Sequence, residues 1–562
     1  MNTAASGEHV DEGSEERMAV VAQPWLPAKW DRTADVVVIG YGGAGAVSAI
    51  TASDAGADVL VLEKAPYVAN RVNTLWGKSY PISGGGGTTA MSGGVSGYPD
   101  DPAAFARLIY NFSWGSTPKN VCETYANFNL KPWYEKMGLP YKTGSYESWY
   151  PAIGTVTMNL LMHPGGGPGL FSDLDARVMK RKIPVLLGTP ATGLIQDPVT
   201  GGILGVKACD TATGNALNIL ARKAVILCSG GFEFDEEMKL NNLHEYPMHF
   251  FAWQYNTGDG IKIAQKAGAG LWHMNCVAAH MGPWFPDNPS PSAYTYTANF
   301  SANSFIYVDK YGKRYASERN APSGVMDFGP GEGYPSYLFQ DWWDAYTWSF
   351  EPKTPEFTRI PSFIIFDEAL RESAPLVTPF GSQTLPAELG GAPRWSSDNR
   401  AEIAKGWILK SDTIAGLAEE INKLSPLTGI YPGLSDNDGP PSSITVNMDP
   451  AVLAKTVSDY NTHCSNKDDP DFDRLSSTLT PISEGPFYAV PLWPGGPNTQ
   501  GGPIRNASGQ VCGPDGSPIP RLYSAGECGS IWGFLYQGPG NLTEALVYGI
   551  ISGANAAAET PL

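Results

Sequence analysis

Hydrophobic residues run unbroken from Val36 to Ile39, directly after Asp35, and a run without polar alternation predicts a strand covered on both faces in a parallel sheet. Glycines then predict a tight turn, a helix reaching Asp54, a stop at Gly56 and a second strand from Asp58 to Leu62. Similar runs recur far down the chain. Ala224 to Leu227 and Ile519 to Tyr523 read as further strands of such a sheet, and Asp173 to Lys182 reads as a helix returning to it. Val185-Leu186-Leu187 reads as another strand, and Leu194-Ile195 with Val206-Lys207 as a hairpin-like pair. Between about 100 and 180 the pattern changes to a segment rich in Trp and Tyr. A second set of elements follows: strands at Phe305 to Val308 and Phe363 to Asp367, and a helix from Asp449 to Thr462.

These patterns predict an α/β protein of two lobes. Residues 1–32 form an acidic tail, about 33–285 and 485–562 a first lobe built on the parallel sheet, and 286–484 an inserted second lobe. Long aromatic and proline-rich loops near 328–360 and 380–400 suit lids, substrate walls or surface excursions. No internal repeat appears.

Charge narrows the function classes. Thirty-eight basic against fifty-six acidic residues leave a net charge of -18, a surface that repels nucleic acids and anionic lipid heads. The seven cysteines are scattered without a C-x-x-C, so neither a disulfide framework nor a metal cluster is expected. With no apolar run of membrane-spanning length and no basic-then-apolar leader, the expectation is a cytoplasmic protein.

The first turn carries chemistry. In Gly40-Tyr41-Gly42-Gly43-Ala44-Gly45, Gly40 permits the turn, Gly42 lets a diphosphate approach the backbone, and Gly45 lets the helix lie close. Glu63 and Lys64 end the second strand, where a carboxylate accepts the adenosine ribose hydroxyls. NAD and FAD both use this unit. The far C-terminus selects between them: a strand ending in Ser524-Ala525-Gly526-Glu527, then Gly538-Pro539-Gly540-Asn541-Leu542 before an apolar helix, places both chain ends on one long cofactor.

These segments resemble the fumarate reductase and succinate dehydrogenase flavoprotein superfamily, and within it the 3-ketosteroid Δ1-dehydrogenase and cyclic-ketone desaturase branch. Ser83 to Gly94, with Gly87, Thr88, Ser92, Gly93 and Gly94, resembles the loop that covers the diphosphate and flavin. Ala224 to Phe232, with Ser229 and Gly230, resembles the second strand-turn, and Thr257-Gly258-Asp259-Gly260 another family signature. The resemblance implies a Rossmann-like FAD-binding domain with a three-layer ββα architecture and an inserted α+β catalytic domain. It also implies a C-terminal helix whose positive end faces the flavin. Covalent attachment in this superfamily uses a histidine in the early Gly-rich region; none stands between Glu63 and Gly94, so FAD is expected to be noncovalent.

The resemblance also bears on the reaction. Fumarate-type reductases hold a dianion with arginines and a histidine, whereas this chain has Pro497-Asn498-Thr499-Gln500, Gln537 and Pro322 at those places. Leu535-Tyr536-Gln537-Gly538-Pro539-Gly540 instead resembles the Tyr-Pro-Gly-Pro-Gly of ketosteroid dehydrogenases. The likeness implies that the Tyr536 hydroxyl and the Gly540 N–H polarise a ketone as its α-proton leaves. The base stays open between Ser323, a tyrosine from 100–150 or 294–346, and His280. Arg505 reads as a surface salt bridge or a partner of a substrate carboxylate. Three functions follow: desaturation of a cyclic ketone (a 3-oxosteroid or substituted cyclohexanone) with hydride transfer to the flavin, reduction of an enone or enoate by the same parts, or an electron-passing flavin subunit. The electron acceptor is not specified by these residues.

Overall fold

In the computed structural model, the first strand, Arg32–Ile39, sorts its side chains by parity. Val36 and Val38 pack with Val59, Val61, Ala224 and Ile226 into one core, and Val37 and Ile39 pack with Leu60, Leu62, Val225 and Leu227 into another. Two cores on opposite faces explain why the run has no polar member. The structure describes residues 25–150, 154–278, 280–295, 302–318, 350–354, 356–428, 443–534 and 539–562, without the side chains of 148–150 and 154.

Around that strand the described residues form an eight-stranded sheet. Arg32–Ile39 pairs in parallel with Ala216–Leu227 on one side and Val59–Leu62 on the other, and Val59–Leu62 pairs with Val185–Leu186. The late strand Pro518–Ser524 pairs in parallel with Ala216–Leu227, through Val225 and Leu522. The two chain ends therefore lie one strand apart. Ala191–Gln196 and Ile203–Cys209 form the expected antiparallel pair and attach to Ala216–Leu227.

Helices Gly43–Asp54 and Gly540–Ala558 pack against each other. Small residues allow it: an added Cβ on Gly549 or Gly553 would press on the carbonyls of Ala44 and Ser48. The aromatic segment after residue 100 folds into helices Pro102–Phe112, Lys119–Ala126 and Lys131–Met137, then a hairpin of Lys142–Tyr150 on Gly154–Met162.

A third core belongs to an antiparallel sheet. Its order is His280–Gly282, Phe487–Gly495, Ser362–Phe366, Phe305–Val308, with Leu409–Ser411 also on Phe487–Gly495. Helix Pro450–Asn466 contributes Leu453, Val457 and Tyr460 to that core. Arg314 ties the lobe internally, giving two hydrogen bonds each to Glu318 and Asp469 at 2.7–2.8 Å. Among the described residues no helix is long and apolar enough to cross a membrane.

Candidate cofactor and substrate site

The turn after the first strand is built by backbone crowding. Gly40 has φ +102°, and a Cβ there would overlap the Cys228 carbonyl; one on Gly45 would overlap the Gly40 carbonyl. The helix start is thereby drawn onto the turn. Gly42 instead faces the early Gly-rich loop, forming a parallel bridge to Gly86, and the Gly43 N–H donates to Thr89 Oγ1 at 3.2 Å.

Glu63 braces this turn, accepting from the N–H of Tyr41 at 2.8 Å and of Ala65 at 2.7 Å, one on each carboxylate oxygen. Burial raises its pKa against those two bonds. Lys64 donates to Thr257 Oγ1 at 2.5 Å and pairs with Asp259 at 2.7 Å. The Thr-Gly-Asp-Gly signature is therefore joined to the acid-ended strand.

The remaining predicted cofactor residues converge on the same region. Thr88 Oγ1 accepts from Trp253 N and Asn256 Nδ2, both at 3.2 Å, and a Cβ on Gly230 would press on the Asn256 amide. Ser229 Oγ reaches Cys528 Sγ at 3.6 Å, and Gly526 lies over Ala44. Ser92 and Gly94 are engaged within their loop, Ser92 Oγ accepting from the Gly94 N–H at 3.1 Å, while Gly93 lies under the Phe380 ring of the 380–400 loop and Gly87 against Gly42. Asn541 Nδ2 donates to Asn498 Oδ1 at 2.5 Å, and Leu542 packs into the first core. Glu527 stands behind Gly231 beside Glu233.

Of the residues assigned to the ketone, Gly540 is the first residue of the C-terminal helix, so its N–H lacks a helical acceptor. Tyr536 and Ser323 lie outside the described residues. His280 sits opposite Gly495 at the edge of the second sheet, where the Met281 N–H donates to its Nδ1 at 2.9 Å. Burial pushes its pKa down to about 4, so the ring is neutral at neutral pH and only weakly basic. Two tyrosines from the windows left open already donate, Tyr125 to the Gly540 carbonyl at 3.1 Å and Tyr294 to Pro393 O at 3.0 Å.

Two arginines change the picture. Arg505 is not on the surface: it is fully buried, ion-paired with buried Glu544, donating to Gly526 O at 3.1 Å and lying 4.3 Å over the Tyr548 ring. Burial pushes its pKa down to about 10, which leaves it charged. Sequence reasoning missed Arg71, buried under the early loop, where it donates to Gly85 O at 2.5 Å and lies 5.4 Å over Trp253. No local pattern marks it.

Among the described residues, Arg71 Nη2, Gln500 Nε2, Asn541 Oδ1 and Glu527 Oε1 are buried without a hydrogen-bond partner. Such atoms are uncommon in a finished core. A mixed set of donors and acceptors beside paired glycine turns suits a large ligand with a diphosphate and a polar ring edge, as FAD has.

Comparison with known proteins agrees. The FAD binding domain family matches residues 35–542. A urocanate reductase of Eggerthella lenta is 27% identical, covering 99% of this chain and 79% of its own length. A 3-oxosteroid 1-dehydrogenase of Mycolicibacterium smegmatis is 26% identical over 93% of this chain and 97% of its own. The solved 3-ketosteroid Δ1-dehydrogenase of Sterolibacterium denitrificans, in complex with 1,4-androstadiene-3,17-dione, superposes with a TM-score of 0.70 at 20% identity, covering 94% of this chain and 100% of that one.

Proposed function

The chain belongs to the FAD binding domain family, and from that membership we propose that it desaturates a cyclic ketone, a 3-oxosteroid or a substituted cyclohexanone, beside its carbonyl. The observation that carries the reading is the set of side-chain amides at the C-terminal helix start. Gly540 and Asn541 open that helix, and Asn541, Asn498 and Gln500 form a chain of amides. Amides and a helix-end N–H polarise a neutral carbonyl, whereas a carboxylate calls for cations. Among the described residues the buried arginines already have partners: Arg505 is held by Glu544, Arg71 by the early loop, Arg371 by Glu368 and Arg474 by Glu318.

When bound, FAD supplies the two-electron acceptor for the bond being desaturated. Gly40, Gly42, Gly43, Ala44 and Gly45 hold its diphosphate in this reading, Glu63 and Lys64 its adenosine end, and Gly526, Glu527, Asn541 and Leu542 its ring end. The Gly540 N–H and the Tyr536 hydroxyl take the ketone oxygen, each donor contributing about 3 kcal/mol as negative charge develops there. Of the candidates left open for the α-proton, His280 is the acceptor in this reading, a weak base because burial holds its pKa near 4.

A second reading, reduction of a conjugated carbon–carbon double bond, is favoured by the likeness to a urocanate reductase. Anaerobic mixing separates the two. Bleaching of the oxidised flavin band by added cyclic ketone supports desaturation; reoxidation of reduced protein by an enone, without bleaching by the ketone, replaces it with reduction.

A further inference from the structure

Behind the late turn two carboxyl groups meet beside a single glycine. Glu233 follows the Gly230-Gly231-Phe232 turn and Glu527 closes the late strand-turn; a Cβ on Gly231 would touch Glu233 Oε1, Glu527 Oε1 and Thr499 Oγ1 together. Thr499 fixes one side of the pair. Its N–H donates to Glu233 Oε1 at 2.6 Å and its hydroxyl to the same oxygen at 3.1 Å. Glu233 Oε2 and Glu527 Oε1 remain, both buried and both without a donor among the described residues. Glu233 is fully buried, while Glu527 keeps a partly exposed edge.

Two carboxylates cannot both stay ionised so close together in a buried site, and among the described residues no cation forms an ion pair with either, Lys239 acting on Glu233 only through space. Lys239 pairs with Glu236 and donates to Met248 O at 2.9 Å, Lys262 pairs with Asp235, and Arg505 pairs with Glu544. Cys528, the other titratable neighbour, is a thiol that burial keeps protonated. Burial first, then the Glu233 charge, holds the Glu527 carboxyl well above the usual range, against the Thr499 amide. One proton between the pair supplies the donor that both oxygens lack.

We propose that Glu233 is a positioning residue of the cofactor site: through one proton shared with Glu527 it fixes that carboxyl for contact with bound FAD. The inference rests on FAD binding and is independent of the ketone reading. Losing the proton leaves two adjacent negative charges beside an anionic cofactor, so FAD binding takes up that proton when pH is high. The dissociation constant then rises about tenfold per pH unit above the pair's titration.

The test measures FAD affinity of the full-length protein by flavin fluorescence from neutral pH upward, without substrate. In Glu233→Gln an amide N–H permanently replaces the shared proton. The variant is expected to bind FAD within a few-fold of wild type at neutral pH and to lose the pH dependence. Glu527→Gln, a second variant, should flatten the profile in the same way. Infrared spectra of the wild-type protein should show a protonated-carboxyl band that shifts in D2O and disappears in either variant. A flat wild-type profile, a Glu233→Gln profile that follows wild type, or no such band overturns the proposal. None of these readouts involves a ketone, so failure here leaves the proposed reaction untouched.

Discussion

The indole of Trp532 lies so close to Gly540 that a Cβ on the glycine would overlap Cζ2 and Cε2 of the ring. Phe105 and Tyr125 hold that indole edge-on, with ring centroids 6.0 and 6.1 Å away. The amide that starts the C-terminal helix is therefore set by an aromatic cluster recruited from the segment after residue 100. A methyl group at this position must displace the indole or the helix start. Gly540→Ala is expected to lower kcat at least about tenfold, as misplacing one donor does, while the purified protein keeps its FAD. Steady-state kinetics beside the flavin-to-protein ratio check this; an unchanged kcat removes the Gly540 amide from the mechanism.

Tyr536 precedes that glycine in the Tyr-x-Gly-Pro-Gly spacing. If its hydroxyl takes the ketone oxygen, Tyr536→Phe removes one donor from the developing charge and should cut kcat by about 10²–10³. Binding of FAD should not change, since no part of the proposed cofactor cradle is touched. Turnover of the variant with a cyclic ketone and an artificial acceptor decides the matter, and wild-type rates would exclude the hydroxyl.

Glu544 joins three segments: it takes the Arg505 guanidinium, the Ile531 N–H at 2.9 Å and the Ser530 hydroxyl at 2.7 Å. Removing one partner of a buried pair leaves an uncompensated charge, at a cost of about 3–5 kcal/mol, whereas removing both charges is far milder. Arg505→Met should thus lower the Tm clearly, and the double variant with Glu544→Gln should recover part of the loss. Thermal unfolding of the FAD-loaded proteins measures both. Additive destabilisation in the double variant would mean that the ion pair is not what joins these segments.

The contrast between the first turn and these buried charges shows what a sequence exposes. Arg32–Ile39, Gly43–Asp54 and Val59–Leu62 were legible because their signals are local: an unbroken apolar run, glycines at a turn, a stop at Gly56. The late strand was legible in the same way, and family likeness tied it to the first. Arg505 reads from sequence as a surface salt bridge or a partner of a substrate carboxylate, because only the fold brings Glu544 to it. Arg71 and Glu233 carry no local mark at all. Their burial is decided by partners such as Gly85 and Thr499, which pattern reading along the chain cannot pair with them.

Buried histidines predict sensitivity to acid. His273 Nδ1 donates to Ser530 O at 2.8 Å, and Nε2 faces Ser116 Oγ at 2.8 Å, so the neutral ring links the loop after the first aromatic helix to the late turn. Burial pushes its pKa from 6.5 down to about 4. Between those values the unfolded chain holds the proton and the folded chain does not, so stability falls as pH drops through that window. The full effect is about 3 kcal/mol for this residue, and about 2 kcal/mol of it is gone by about pH 5. His273 has φ +52°, a conformation that Asn tolerates well. His273→Asn should therefore fold and lose about 2 kcal/mol less than wild type between about pH 7 and pH 5. Urea unfolding at the two pH values measures the difference, and equal losses in both proteins would rule out His273 as a source of the acid sensitivity.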